Sequence, residues 1–165
     1  ENITADNARL VSNLHANLGG LYRMNGHPDL AREHMEKSIS LLDQFNLLHI
    51  NDSIPQIANY AMFLTEQQEP ERGISELQKL SGIIKEYHSD HCLDYAKVQE
   101  TLGTIYLMTA NLPQAKTHFK RAFKIYEKIW ADEPEMIEAK YQEIQELYPQ
   151  IGFCIGKNLS GLLTK

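Results

Sequence analysis

The residues best equipped for chemistry sit in one short run, His88-Ser89-Asp90-His91-Cys92 followed by Asp94, which gathers imidazole, thiol and carboxylate donors of the kind that hold zinc. A structural zinc site needs a second ligand cluster at finger-like spacing. The only other cysteine is Cys154, and no CxxC occurs. No metal or other cofactor is therefore expected, and Asp90 is read instead as the N-cap of a helix. The lone histidines His15, His27, His34, His49 and His118 read as surface or packing residues. Carboxylates such as Glu143 and Glu146 fall on a solvated helix face, where nothing sets one up as acid and the other as base. The patterns GxGxxG, GxxxxGK followed by Ser or Thr, GxSxG and HExxH are all missing, so dinucleotide, phosphate, acyl-transfer and zinc-protease chemistry lack their usual devices. The chain is expected not to be an enzyme, with no catalytic residue.

Composition narrows the partners. The 165 residues are 42% hydrophobic and 23% charged, which fits one folded domain with a continuous core. Lys and Arg number 16 against 22 Asp and Glu, and the resulting net charge of -6 repels a phosphate backbone. The densest basic cluster, Lys116, Lys120, Arg121, Lys124 and Lys128, has helical spacing and reads as a solvated face, so no nucleic-acid partner is expected. Two distant cysteines fit a reducing compartment, and no apolar run approaches the ~18 residues of a membrane span. A cytoplasmic chain with no membrane partner is expected. A first residue of Glu and not Met predicts a piece or a processed product, which leaves room for a further domain upstream.

The elements that would position any site follow from an internal repeat. Leu18-Gly19-x-x-Tyr22 recurs as Tyr60-Ala61-x-x-Leu64 and Leu102-Gly103-x-x-Tyr106, steps of 42 residues (18 to 60, 60 to 102). The same step links Ala31, Gly73 and Ala115, then Met35, Leu77 and Phe119, then Ser38, Leu80 and Ala122. Small residues where helices cross and bulky ones between them describe two antiparallel helices per unit. Pro28, Pro70 and Pro113 each stand where a second helix begins, a position that tolerates the missing N–H. Asn51 or Asp52, and Asp90, are the expected N-caps of the first helices of the second and third units. Helices are predicted at about 5–24, 28–46, 53–67, 70–87, 91–109, 113–130 and 135–148.

These columns resemble the tetratricopeptide repeat, whose Leu-Gly-x-x-Tyr, Ala, Phe, Ala pattern is matched by Leu102, Gly103, Tyr106, Ala115, Phe119 and Ala122. The long unit, and the stretch Ala16 to Gly26, are similar to the kinesin-light-chain-like subgroup. His15, Ile57 and Gln99 depart from the tryptophan column, and Asp43, Lys85 and Glu127 from the trailing proline column. The resemblance implies an all-α solenoid forming a single domain over 1–165, with repeats at about 12–53, 54–95 and 96–137 and a partial fourth repeat or cap at 138–165. In the terminal segment Ile151, Ile155, Leu159 and Leu162 have the spacing of a capping face. Alternatively, residues 149–165 pair with another chain through Phe153, Leu159, Leu162 and Leu163, making a homodimer.

In that family the first helices line a concave face that binds an extended peptide or a partner helix. The expected contacts are Asn13, Asn17, Arg23 and Met24, then Asn59, Met62 and Glu66, then Thr101, Thr104 and Met108. Asn17 and Asn59 share a column, and an amide offers both a donor and an acceptor to a peptide backbone. Resemblance gives these two asparagines the backbone-clamping role; the competing reading has them satisfied by neighbouring helices. Met24, Met62 and Met108 add an adaptable apolar strip or belong to the core. Ala16, Gly20 and Ala58 stand where a carboxylate clamp needs charge or amide, which disfavours chaperone tails. The function expected is a protein-binding scaffold; the alternatives are the peptide-sensing half of a larger transcriptional regulator and a self-associating structural module.

Overall fold

The computed structural model describes residues 3–147 and Pro149, and within them every regular element is helical. The elements are α1 (Ala5–Met24), α2 (Pro28–Gln44), α3 (Ser53–Glu66), α4 (Pro70–Tyr87), α5 (Leu93–Met108), α6 (Leu112–Ile129) and α7 (Pro134–Leu147). They form two compact units, Glu1–Asp90 holding α1 to α4 and His91–Lys165 holding α5 to α7. The terminal residues expected to form a cap or a homodimer contact, Ile151 to Leu163, lie outside the described residues.

Each hairpin turns through the same backbone device. Gly26, Gln68 and Ala110, one per 42-residue step, adopt positive φ of 74°, 63° and 58°. The following N–H groups reach back across the corner: His27 to the Tyr22 carbonyl at 2.9 Å, Glu69 to that of Leu64 at 2.8 Å, and Asn111 to that of Tyr106 at 2.8 Å. This left-handed closure satisfies carbonyls that a helix end otherwise leaves without partners. Pro28 and Pro70 then open the second helices of the first two hairpins, and Pro113 is the second residue of α6. Three-residue connections leave the paired helices no choice but to run antiparallel.

Small residues set how closely the helices approach. A Cβ on Gly19 would lie 2.6 Å from the Met35 Cγ, one on Gly73 2.6 Å from the Ala61 carbonyl oxygen, and one on Gly103 2.8 Å from the Phe119 ring. The first two crossings thus set a glycine against the backbone of an alanine, Gly19 against Ala31 and Gly73 against Ala61, whereas Gly103 faces the Phe119 ring; Ala31, Ala61 and Ala115 are all fully buried. In the first unit Ala31, Met35, Tyr60, Phe63 and Leu64 form one cluster. In the second, Phe119, Phe123 and Tyr126 are buried, and Phe123 stacks on Tyr141 of α7 at 4.1 Å.

Helix ends depart from expectation in three places. Asp90 does not cap α5; the N-cap is Cys92, whose Sγ accepts from the Tyr95 N–H at 3.4 Å, while Asp90 lies 4.0 Å from Lys85. Asp52 is the N-cap residue of α3, yet its carboxylate makes no cap bond and turns to Arg9. Finally, α2 stops at Gln44, because Asn46 enters a left-handed turn closed from the Leu47 N–H to the Leu42 carbonyl at 2.7 Å. The basic residues from Lys116 to Lys128 are all exposed along α6, as a solvated face requires.

Candidate binding groove

Helices α1 and α3 of the first unit flank a groove of about 570 Å³, which Asn13, Asn17, Arg23, Met24 and Asn59 line together with Gln56. Residues about one repeat apart line it together because each stands on the first helix of its hairpin, and Met35 and Ser38 of α2 border it as well. The groove is polar at one end and bounded by ion pairs.

At the Asp52 end a hydrogen-bonded chain joins three helices. Ser12 Oγ donates to Gln56 Oε1 or to the Ser38 carbonyl, 2.9 and 3.1 Å away. Gln56 Nε2 donates to Asn13 Oδ1 at 2.5 Å, and Asn13 Nδ2 donates to Asp52 Oδ2 at 3.4 Å. Arg9 Nε closes the chain on Asp52 Oδ2 at 2.7 Å. The Arg9 bond first, and that from Asn13 second, hold the Asp52 carboxyl below its ordinary range. Ser12 and Ser38 are fully buried, so their hydroxyls need the Gln56 amide as much as it needs them.

This network divides the predicted contacts. Both functions of the Asn13 amide are engaged by Gln56 and Asp52. Asn17 and Asn59 are exposed, and neither amide has a hydrogen-bond partner among the described residues. Arg23 donates from Nε to Glu66 Oε2 at 2.8 Å, with a second bond from its terminal nitrogen to the other oxygen, so two expected contacts form a bidentate pair across α1 and α3. Met24 is 84% exposed at the rim. Met62 is partly buried, and neither it nor Glu66 lines the groove.

The remaining expected contacts belong to the second unit. The Thr101 hydroxyl donates to the Lys97 carbonyl at 3.0 Å along its own helix; Thr104 is partly buried and Met108 is 45% exposed. A smaller depression of about 240 Å³, bordered by Tyr126, Trp130, Met136 and Lys140, includes none of the three. Lys140 is held by Glu100 at 3.0 Å and Glu143 at 3.1 Å, and the Tyr126 hydroxyl donates to Glu100 at 2.7 Å. Burial first, and the Glu100 carboxylate second, push the Tyr126 phenol well above its usual range. Sequence reasoning gave Gln56, Ser12 and Arg9 no role and read Ser38 only as a repeat column; the Gln56 column holds Leu14 and Val98 in the other repeats.

None of the curated proteins matches the sequence. Among solved structures, BtubC (BKLC) from P. vanneervenii is similar, with a TM-score of 0.66 at 20% identity over 78% of this chain and 49% of that one. This chain therefore spans about half the length of BtubC, and the likeness is one of fold. The family description that matches residues 53–128 is the tetratricopeptide repeat. With the helix hairpins and the repeated left-handed corners, that match identifies residues 53–128 as tetratricopeptide repeat sequence within a fold of the same kind.

Proposed function

We propose that the groove between α1 and α3 binds an extended peptide or a partner helix, and that Asn17 and Asn59 clamp its backbone. One contrast supports this reading: in a groove where the Asn13 and Gln56 amides are fully engaged, those of Asn17 and Asn59 are exposed and lack hydrogen-bond partners among the described residues. An amide presented this way pairs with a peptide N–H and C=O together. Met24 supplies flexible apolar contact at the rim, and the Arg23–Glu66 pair rigidifies one end. The 42-residue register supports reading the hairpins as three successive repeats, and the asparagine column supports the long subgroup typified by kinesin light chain. The protein acts as a scaffold without catalysis.

The test is calorimetry with a peptide selected against the chain by display. Asn17→Ala with Asn59→Ala is expected to weaken binding at least tenfold at unchanged melting temperature, each lost amide pair contributing about 1 kcal/mol. Unchanged affinity with intact helicity removes the amide clamp.

A further inference from the structure

One face of α1 is apolar and open to solvent: Leu14 and Leu21 are each 56% exposed and Leu10 is 72% exposed. Their spacing, four residues and then seven, puts all three on one stripe of the helix. Scattered exposed leucines need no explanation, whereas an aligned row of large ones on a single helix does.

The repeat register shows what this stripe is for. One 42-residue step onward, the Leu10, Leu14 and Leu21 positions hold Asp52, Gln56 and Phe63 of α3. All three touch the preceding hairpin. Asp52 is bonded by Arg9, Gln56 by Ser12 and Ser38, and Phe63 is 1% exposed in a cluster with Ala31 and Met35, with the Arg32 guanidinium 5.5 Å above its ring. The α1 stripe is thus the same face, one repeat earlier, with nothing laid over it among the described residues. It is also greasier than its α3 counterpart, since leucine replaces an aspartate and a glutamine.

We infer that the Leu10–Leu14–Leu21 face of α1 is the stacking surface for a further helix hairpin of tetratricopeptide design, whose second helix covers Leu14 and Leu21 as α2 covers Phe63. The chemistry of that helix follows from the contacts it replaces. It carries a small residue in the Ala31 position and an apolar one in the Met35 position. Where α1 and α2 present Ser12 and Ser38 to Gln56, it presents apolar groups, because Leu14 offers no acceptor to a buried hydroxyl. A lipid surface fits poorly: a membrane-binding face is flanked by Lys and Arg, and the flanks here are Asn7, Val11, Asn13 and Leu18.

The probe is an extended chain in which a second copy of residues 5–50, carrying Ser12→Ala and Ser38→Leu, is placed directly before Arg9 of the existing sequence, preserving the 42-residue step. Amide exchange in the original α1 is expected to slow at least tenfold. Leu21→Glu in the original α1 is expected to lower the folding equilibrium constant of the extended chain a hundredfold or more, but that of the 165-residue chain by less than threefold. Unchanged exchange, or equal losses in the two chains, overturns the inference. Two measurements on the 165-residue chain stand apart from the extension. If Leu14→Glu destabilises it as severely as a core substitution, the face is not free and the inference falls. If sedimentation shows a dimer that Leu14→Glu with Leu21→Glu dissolves, the occupant is a second copy, and the inference falls as well. A monomer that tolerates both substitutions is the outcome it requires.

Discussion

Hairpins α1–α2 and α5–α6 stand two 42-residue steps apart and repeat one internal arrangement with a single polar exchange. In the first, Tyr22 stacks on His34 with centroids 5.3 Å apart, and His34 Nδ1 shares a 2.8 Å hydrogen bond with His15 Nδ1. In the second, Tyr106 stacks on His118 at the same 5.3 Å, and His118 Nδ1 bonds to Gln99 Oε1 at 2.9 Å. A histidine partner accepts or donates according to its tautomer, so the first bond has two ways of forming. The Gln99 oxygen also accepts from Arg121 at 3.2 Å, which fixes it as an acceptor and His118 Nδ1 as the donor. The aromatic stack is thus common to both hairpins, and the proton inventory is local.

The crossing glycines give that comparison its largest expected effect. An added Cβ meets the Phe119 ring at Gly103, whereas at Gly19 it meets the Met35 Cγ at 2.6 Å and backbone atoms of Ala31 and Met35 at 3.2 Å, of which only the methionine side chain can partly yield. Gly103→Ala is expected to cost roughly 3 kcal/mol and Gly19→Ala about 2 kcal/mol. Trp130, the single tryptophan, stacks on Tyr126 at 4.9 Å and reports urea unfolding of the second unit by fluorescence; amide exchange in α1 reports the first. Equal losses at the two sites would mean that the crossings are equally rigid.

Acid separates the hairpins next. Burial first, and the Arg121 charge second, depress His118 from 6.5 to about 4, so the fold holds the neutral imidazole. The stability this contributes is complete above about pH 6.5 and is lost as pH falls toward 4, because the unfolded chain takes up a proton that the folded chain refuses. Stability monitored at Trp130 should fall by about 1 kcal/mol per pH unit as the solution is acidified across that window, and His118→Phe should flatten the dependence. A slope that survives His118→Phe would assign it to another group.

The smallest effect lies at the corners. Gly26 adopts positive φ without strain, whereas Ala110 does so against its own Cβ. Ala110→Gly is expected to stabilise the α5–α6 hairpin by up to about 1 kcal/mol, read as a raised urea midpoint at Trp130.

Much of this architecture was legible because the repeat writes it several times over. The columns at Gly19, Ala61 and Gly103 and the prolines at 28, 70 and 113 located every hairpin, and helix ends agreed to within about two residues. What escaped was whatever occurs once. Gln56 carries the first unit's polar network at a position held elsewhere by Leu14 and Val98, so no column announces it. The engagement of Asn13 could not be separated from the availability of Asn17, since both are asparagines on one helix and only the partners across the groove distinguish them. Cys92 supplanted Asp90 as a cap because the chain enters α5 two residues later than expected.

The corners at Gly26, Gln68 and Ala110 are closed by peptide hydrogen bonds, so no side chain there is needed to hold the bend. Those apices are therefore natural ports for cargo: a fluorophore or a short epitope hung from Gln68 would leave both flanking rods in register, because lengthening an exposed connection adds little closure entropy.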